Sequence, residues 1–131
     1  YYSYMHIING VGNTSTNYAT TEQVNEAAAW VKSQKDKPFF LWLAFNAPHT
    51  PYHLPPAGLH SYTTLTGTAT DIAANKLLYF KAMVEAMDHE LGRLFDTLQK
   101  YNLWSSKHIF YCGNVQIFFQ IFQEMDIFEN N

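Results

Sequence analysis

Residues Pro38 to Pro56 read PFFLWLAFNAPHTPYHLPP, an apolar run that passes into a loop of prolines, aromatics and two histidines, His49 and His53. Phe39 to Phe45 shows no polar alternation. Its length and continuity fit a strand buried on both faces, as in a parallel sheet. Burying each large side chain there contributes roughly 1.5–3 kcal/mol, so this strand is a core element. The residues after it, 46–68, hold four of the five prolines and form a long loop. A loop beyond about 15 residues in a compact domain is usually functional or disordered.

Helical spacing flanks the strand on both sides. Upstream, TTEQVNEAAAWVKSQKDK carries Val24, Ala27, Ala28 and Val31 on one stripe. Thr20 or Thr21 serves as cap, Glu22 sits in the first turn, and Lys32 and Lys35 suit the carboxyl pole. Lys37-Pro38 breaks that helix. Downstream, the spacing predicts one long helix from Thr70 to about Asn102. Met83 or Val84, Met87, Leu91, Leu94 and Leu98 build its seam. Gly92 costs about 1 kcal/mol against alanine inside a helix, which points to a close backbone contact there. His108 to Cys112 reads as a second short strand. The order helix, strand, helix, strand is that of an α/β protein with a parallel sheet and the long helix as crossover. Residues 1–19, rich in Tyr, Asn, Gly and Thr, read as irregular or short extended structure. The tail from Gly113 onward is apolar without a period of two or of 3.6.

Composition narrows the classes. The 131 residues suit one small domain or a piece of a larger one, and the chain does not begin with Met, which points to a fragment. Charged residues make up 15% and aromatics 17%, a surface that expects cover. A net charge of −3 gives no electrostatic footprint for nucleic acid. No apolar run approaches the roughly 18 residues of a membrane span, and the first residues lack the pattern of a signal peptide. The single Cys112 excludes an internal disulfide framework.

Three groups of residues bear on chemistry. His49 follows the carboxyl end of the buried strand, the edge at which open α/β sheets bind ligands. Pro48 and Pro51 restrict the backbone around it. An imidazole so presented can donate to an anion or protonate a leaving group; it can equally be a loop histidine packed under aromatics. His49 and His53 also read as H-x-x-x-H, but the prolines forbid the regular helix that would set two zinc ligands on one face. In EAMDHELGRL, Glu85, Asp88, His89 and Arg93 read as a charged face worth roughly 0.2–0.5 kcal/mol per pair. Cys112, with only His108 near it, reads as a buried inert thiol.

The segment KPFFLWLAFNAPHTPYHLPP resembles the central segment of the sulfatases, in the alkaline phosphatase superfamily. AAAWV precedes it as an alanine-tryptophan helix end does there. YFKAMVEAMDHELGRLFDTL is similar to the helix that follows, with its Met-Asp and Gly-Arg-Leu pattern. The likeness covers about residues 18–104, and more loosely 1–17. It implies a fragment of a three-layer α/β sandwich with a mainly parallel sheet. It implies hydrolysis of sulfate esters, small molecules or sulfated glycans, by a formylglycine nucleophile assisted by a calcium ion (Ca2+). His49 matches the family histidine that contacts the sulfate group and the leaving-group side, so it is the expected catalytic and substrate-binding residue. Asp88 and Arg93 match a structural helix pattern. Family habit suggests a periplasmic, secreted or lysosomal location.

The resemblance has gaps. No Cys/Ser-x-Pro-Ser-Arg occurs, because every proline lies between residues 38 and 56. The Asp-Asp pair of the family's amino-terminal region is absent. After the long helix the family's Asp-Asn-Gly is replaced by SSKHIFYCGNVQIFFQ, and Asn114 without its aspartate is no assigned ligand. No metal ligand is therefore expected in this chain. Residues 1–104 read as a partial catalytic domain and 105–131 as a divergent tail that a frame shift or truncation would explain. The chain alone is expected to be inactive, its partner being the missing remainder of the catalytic domain. The alternatives are a phosphatase or phosphodiesterase of the same superfamily, and a non-enzymatic anion-binding remnant.

Overall fold

The structure, a computed structural model, describes residues 1–104 and the backbone of two strands beyond them, Lys107–Cys112 and Gln116–Ile121. In chain order the elements are β1 (Tyr4–Ile8), β2 (Val11–Ser15), α1 (Ala19–Gln34), β3 (Phe39–Ala44), α2 (Ala69–Ala74), α3 (Lys76–Lys100), β4 (Lys107–Cys112) and β5 (Gln116–Ile121).

The core forms where the apolar stripes of α1 and α3 meet one face of β3. Val24, Ala27 and Val31 of α1 pack with Leu91, Leu94 and Leu98 of α3 and with Phe39, Leu43 and Phe45. These are the stripe and seam positions of the sequence, and Met87 packs at the rim of the same cluster. β3 departs from expectation. It is buried on one face only, while Phe40 and Trp42 on the other are 55% and 56% exposed. The core cluster covers one side of the strand, so alternate side chains point away from it.

The strand pairing also corrects the sequence reading. β3 and β4 run in the same direction, as a crossover through α3 requires, but they are not neighbours. β5 lies between them and pairs antiparallel with both, Phe39 opposite Ile121 and Lys107 opposite Ile121. The small sheet is therefore antiparallel in its hydrogen bonding. A mainly parallel sheet was expected because a crossover normally delivers adjacent strands; here a following strand enters the gap.

Four local readings change as well. Residues 1–19 are not irregular: β1 and β2 form a hairpin from Tyr4–Ser15 to Ile8–Val11. Its turn is Asn9-Gly10, with φ of 51° and 82°, the two left-handed residues that a tight two-residue hairpin turn needs. Neither Thr20 nor Thr21 caps α1. Tyr18 occupies that position without a side-chain cap, and the Ala19 N–H donates to the Tyr1 carbonyl (3.0 Å). The long helix is two helices, because Asn75 leaves helical geometry (φ −123°, ψ 32°). Gly92 has open space where a Cβ would stand, so no close contact requires it. The readings of Cys112 and His108 as side chains, of Asn114, and of the tail as a divergent segment concern residues outside those described.

The loop of residues 46–68 carries its own small core. Leu65 packs with Tyr79 and Ala82 of α3, joined by Tyr52, Leu54, Tyr62 and Ile72. Polar bonds tie it down further. The Tyr79 hydroxyl accepts from Gly67 N–H (2.8 Å) and donates to Asp71, which also accepts from Thr66 N–H (2.8 Å). The Thr66 backbone N–H first, then the Tyr79 hydroxyl, hold the Asp71 carboxyl down to about 2.

Candidate functional site

The site begins where β3 ends. Phe45 and Ala47 are buried, and they seat the chain before it turns out at His49. Asn46 to His49 forms a turn closed by His49 N–H donating to the Asn46 carbonyl (3.0 Å). The Ala47–Pro48 and Thr50–Pro51 peptides on either side are cis. His49 is exposed. Its Nδ1 lies 2.8 Å from the Thr50 carbonyl. A carbonyl only accepts, so Nδ1 carries a proton and Nε2 is the ring nitrogen left for other chemistry.

His49 lines a cleft of about 1050 Å³ together with Tyr1, Tyr4, Phe45, Tyr52 and Phe80. Tyr52 and Phe80 meet edge to face at 6.5 Å, one from the loop and one from α3. The Tyr1 hydroxyl is 2.6 Å from the Asn46 carbonyl and 2.8 Å from that of His49. Its single proton serves the two ends of the turn. Burial, and then the neighbouring Tyr18 phenol, raise the Tyr1 hydroxyl to about 12, so it remains a donor throughout the neutral range.

His53 does not join His49. It is packed among aromatics, stacked on Tyr1 with ring centroids 3.9 Å apart and edge-on to Tyr2 and Tyr18. Its Nδ1 donates to the Pro51 carbonyl and its Nε2 accepts from the Tyr18 hydroxyl, both at 3.2 Å. Burial lowers its pKa below the ordinary histidine value. The H-x-x-x-H spacing thus places one imidazole at the cleft and the other in packing. Among the described residues no group of three or more His, Cys, Asp or Glu could hold a metal ion. The described residues therefore do not fit calcium. His60 is likewise structural, with Nε2 donating to the Pro55 carbonyl and Nδ1 accepting from Tyr62 N–H, both at 3.2 Å.

The charged face of α3 splits. Asp88 and His89 are exposed, as expected. Glu90, which the spacing did not single out, is 1% exposed. It accepts from the Thr21 hydroxyl (2.8 Å) and from Arg93, whose other nitrogen donates to Asn25 (2.7 Å). These bonds lock α3 onto the first turns of α1, the structural role expected of Arg93. The cleft aromatics were also missed. Only the high aromatic content hinted at them, because Tyr1, Tyr52 and Phe80 are far apart in sequence.

No helix among the described residues is long and apolar enough to cross a membrane. No curated protein and no solved structure matches the chain. The sequence profile of the family described as Sulfatase does match, over residues 2–113, from before the hairpin to the end of β4. That span includes β3, the His49 turn, the packed loop and α3, so the chain belongs to the sulfatase family.

Proposed function

We propose that this chain is the part of a sulfatase catalytic domain that presents His49 to the sulfate ester. The observation that carries the reading is the His49 ring at the wall of the aromatic cleft, with Nδ1 committed to the Thr50 carbonyl and Nε2 left over. In its protonated form Nε2–H donates to a sulfuryl oxygen or to the ester oxygen. As a nucleophile from the rest of the domain bonds to sulfur, the ester S–O bond breaks, its electron pair leaves with the ester oxygen, and the Nε2 proton neutralises that oxygen. The aromatic walls suit the organic part of the ester, aryl or sugar.

The nucleophile and the calcium ion of the family belong to residues outside this chain. The full three-layer, mainly parallel sheet is proposed for the intact domain. The common direction of β3 and β4 on either side of α3 in sequence supports that. The chain by itself is inactive in this reading, since its sequence holds no Cys/Ser-x-Pro-Ser-Arg from which the family's nucleophile is made. Incubating the purified chain with 4-nitrophenyl sulfate tests this. The expected result is no release of nitrophenol above buffer; turnover that His49→Ala abolishes would overturn it.

A further inference from the structure

We propose that Tyr1 and Tyr2 form a strap that holds the His49 turn in register with the start of α1, and that Tyr1 is a positioning residue for His49. This deepens the sulfatase reading of the cleft and rests on it for the consequence at the anion.

The strap is anchored at its root. The Tyr1 carbonyl accepts from Ala19 N–H at 3.0 Å, fixing the backbone of Tyr1 to the first residue of α1. From there the Tyr1 hydroxyl reaches the carbonyls of Asn46 and His49, the first and last residues of the turn. The Tyr2 hydroxyl donates to the Leu54 carbonyl at 2.6 Å, beyond the two prolines. Between these attachments the His53 ring stacks on Tyr1 and bonds the Tyr18 hydroxyl. Two adjacent residues therefore grip the loop on both sides of Pro51, and a third aromatic from the α1 cap fills the gap.

The chemistry explains why the grip falls on those atoms. The His49 carbonyl adjoins the Thr50 carbonyl that fixes Nδ1. If the peptide between them turned, the ring would lose its partner and Nε2 would swing from the cleft. A phenol held at about 12 does not ionise near neutrality, so the grip is constant over the range in which an imidazole works. Stacking alone does not do this, because the ring of Tyr1 touches His53 while the hydroxyl touches the turn.

Tyr1→Phe keeps the stack and removes the hydroxyl; Tyr2→Phe removes the other attachment. Both are made in the full chain with 15N labelling. Amide hydrogen exchange at His49, relative to Leu94 in the core of α3, reports the turn. Titration with inorganic sulfate reports the anion. In Tyr1→Phe the His49 amide is expected to exchange about fivefold faster relative to Leu94, and sulfate to bind about fivefold more weakly, as the loss of one hydrogen bond gives. Tyr2→Phe should change the His49 amide less. The strap is overturned if Tyr1→Phe leaves the relative exchange at wild-type values or affects it no more than Tyr2→Phe. A wild-type chain that gives no sulfate response at His49 sinks the sulfatase reading instead, and the exchange comparison still decides the strap.

Discussion

The two histidines of one loop have opposite fates, and hydrogen bonding and burial decide which is which. His49 leaves a ring nitrogen at the cleft, while His53 uses both nitrogens and lies between Tyr1, Tyr2 and Tyr18. Its lowered pKa has a consequence for folding. Below the ordinary value of 6.5, the unfolded chain takes up a proton at this residue that the buried ring resists. Stability is thus fully present above about pH 6.5 and falls as the pH drops below it. Urea denaturation between pH 7 and 5 should show this loss, and His53→Phe, which keeps an aromatic in the stack, should flatten it. An unchanged slope in His53→Phe would assign the effect to another group. The position of His49, in a proline-flanked turn after an apolar strand, was legible in sequence because that is a local pattern. The partners that orient it were not, because Tyr1 lies 48 residues away.

At the scale of elements, periodicity carried α1, β3 and the seam of α3, since each buries a continuous stripe in one cluster. It failed where a single residue or a distant pairing decides. The hairpin was not read, although Asn9-Gly10 is a two-residue hairpin turn pair, because its strands are too exposed to alternate: Met5, Ile7, Ile8 and Val11 are all over half exposed. The hairpin is held instead by side chains on α1. Tyr4 and Asn17 donate to Glu22, and His6 Nε2 lies 2.9 Å from Glu26. Hydrogen bonds from Ser15, Tyr4 and Asn17 lower the Glu22 carboxyl from 4.5 to about 2. Its contribution is present above about pH 4.5 and is lost as the pH falls through about 2. Carboxyl 13C titration should give Glu22 a midpoint near 2, and Tyr4→Phe should raise it; a midpoint at the ordinary value would detach the hairpin from α1. Gly92 offers a second check. With open space at its Cβ, Gly92→Ala should stabilise the chain by about 0.5–1 kcal/mol in a urea melt. A destabilised variant would restore the close contact that the sequence suggested.

For the whole molecule, the α/β class followed from the order of elements, and the family from two motif blocks. The insertion of β5 between β3 and β4 could not be read, because Gln116–Ile121 shows no period and strand order depends on partners far along the chain. The family match over residues 2–113 spans the hairpin, the turn at His49, the packed loop and α3, and the cleft is lined from several of these segments. The most direct measurement is titration of the chain with inorganic sulfate while the ring resonances of all six histidines are followed by NMR. His49 should shift saturably, with His53 and His60 unmoved because their ring nitrogens are engaged in packing. Shifts of equal size at every histidine, or none at His49, would contradict the account.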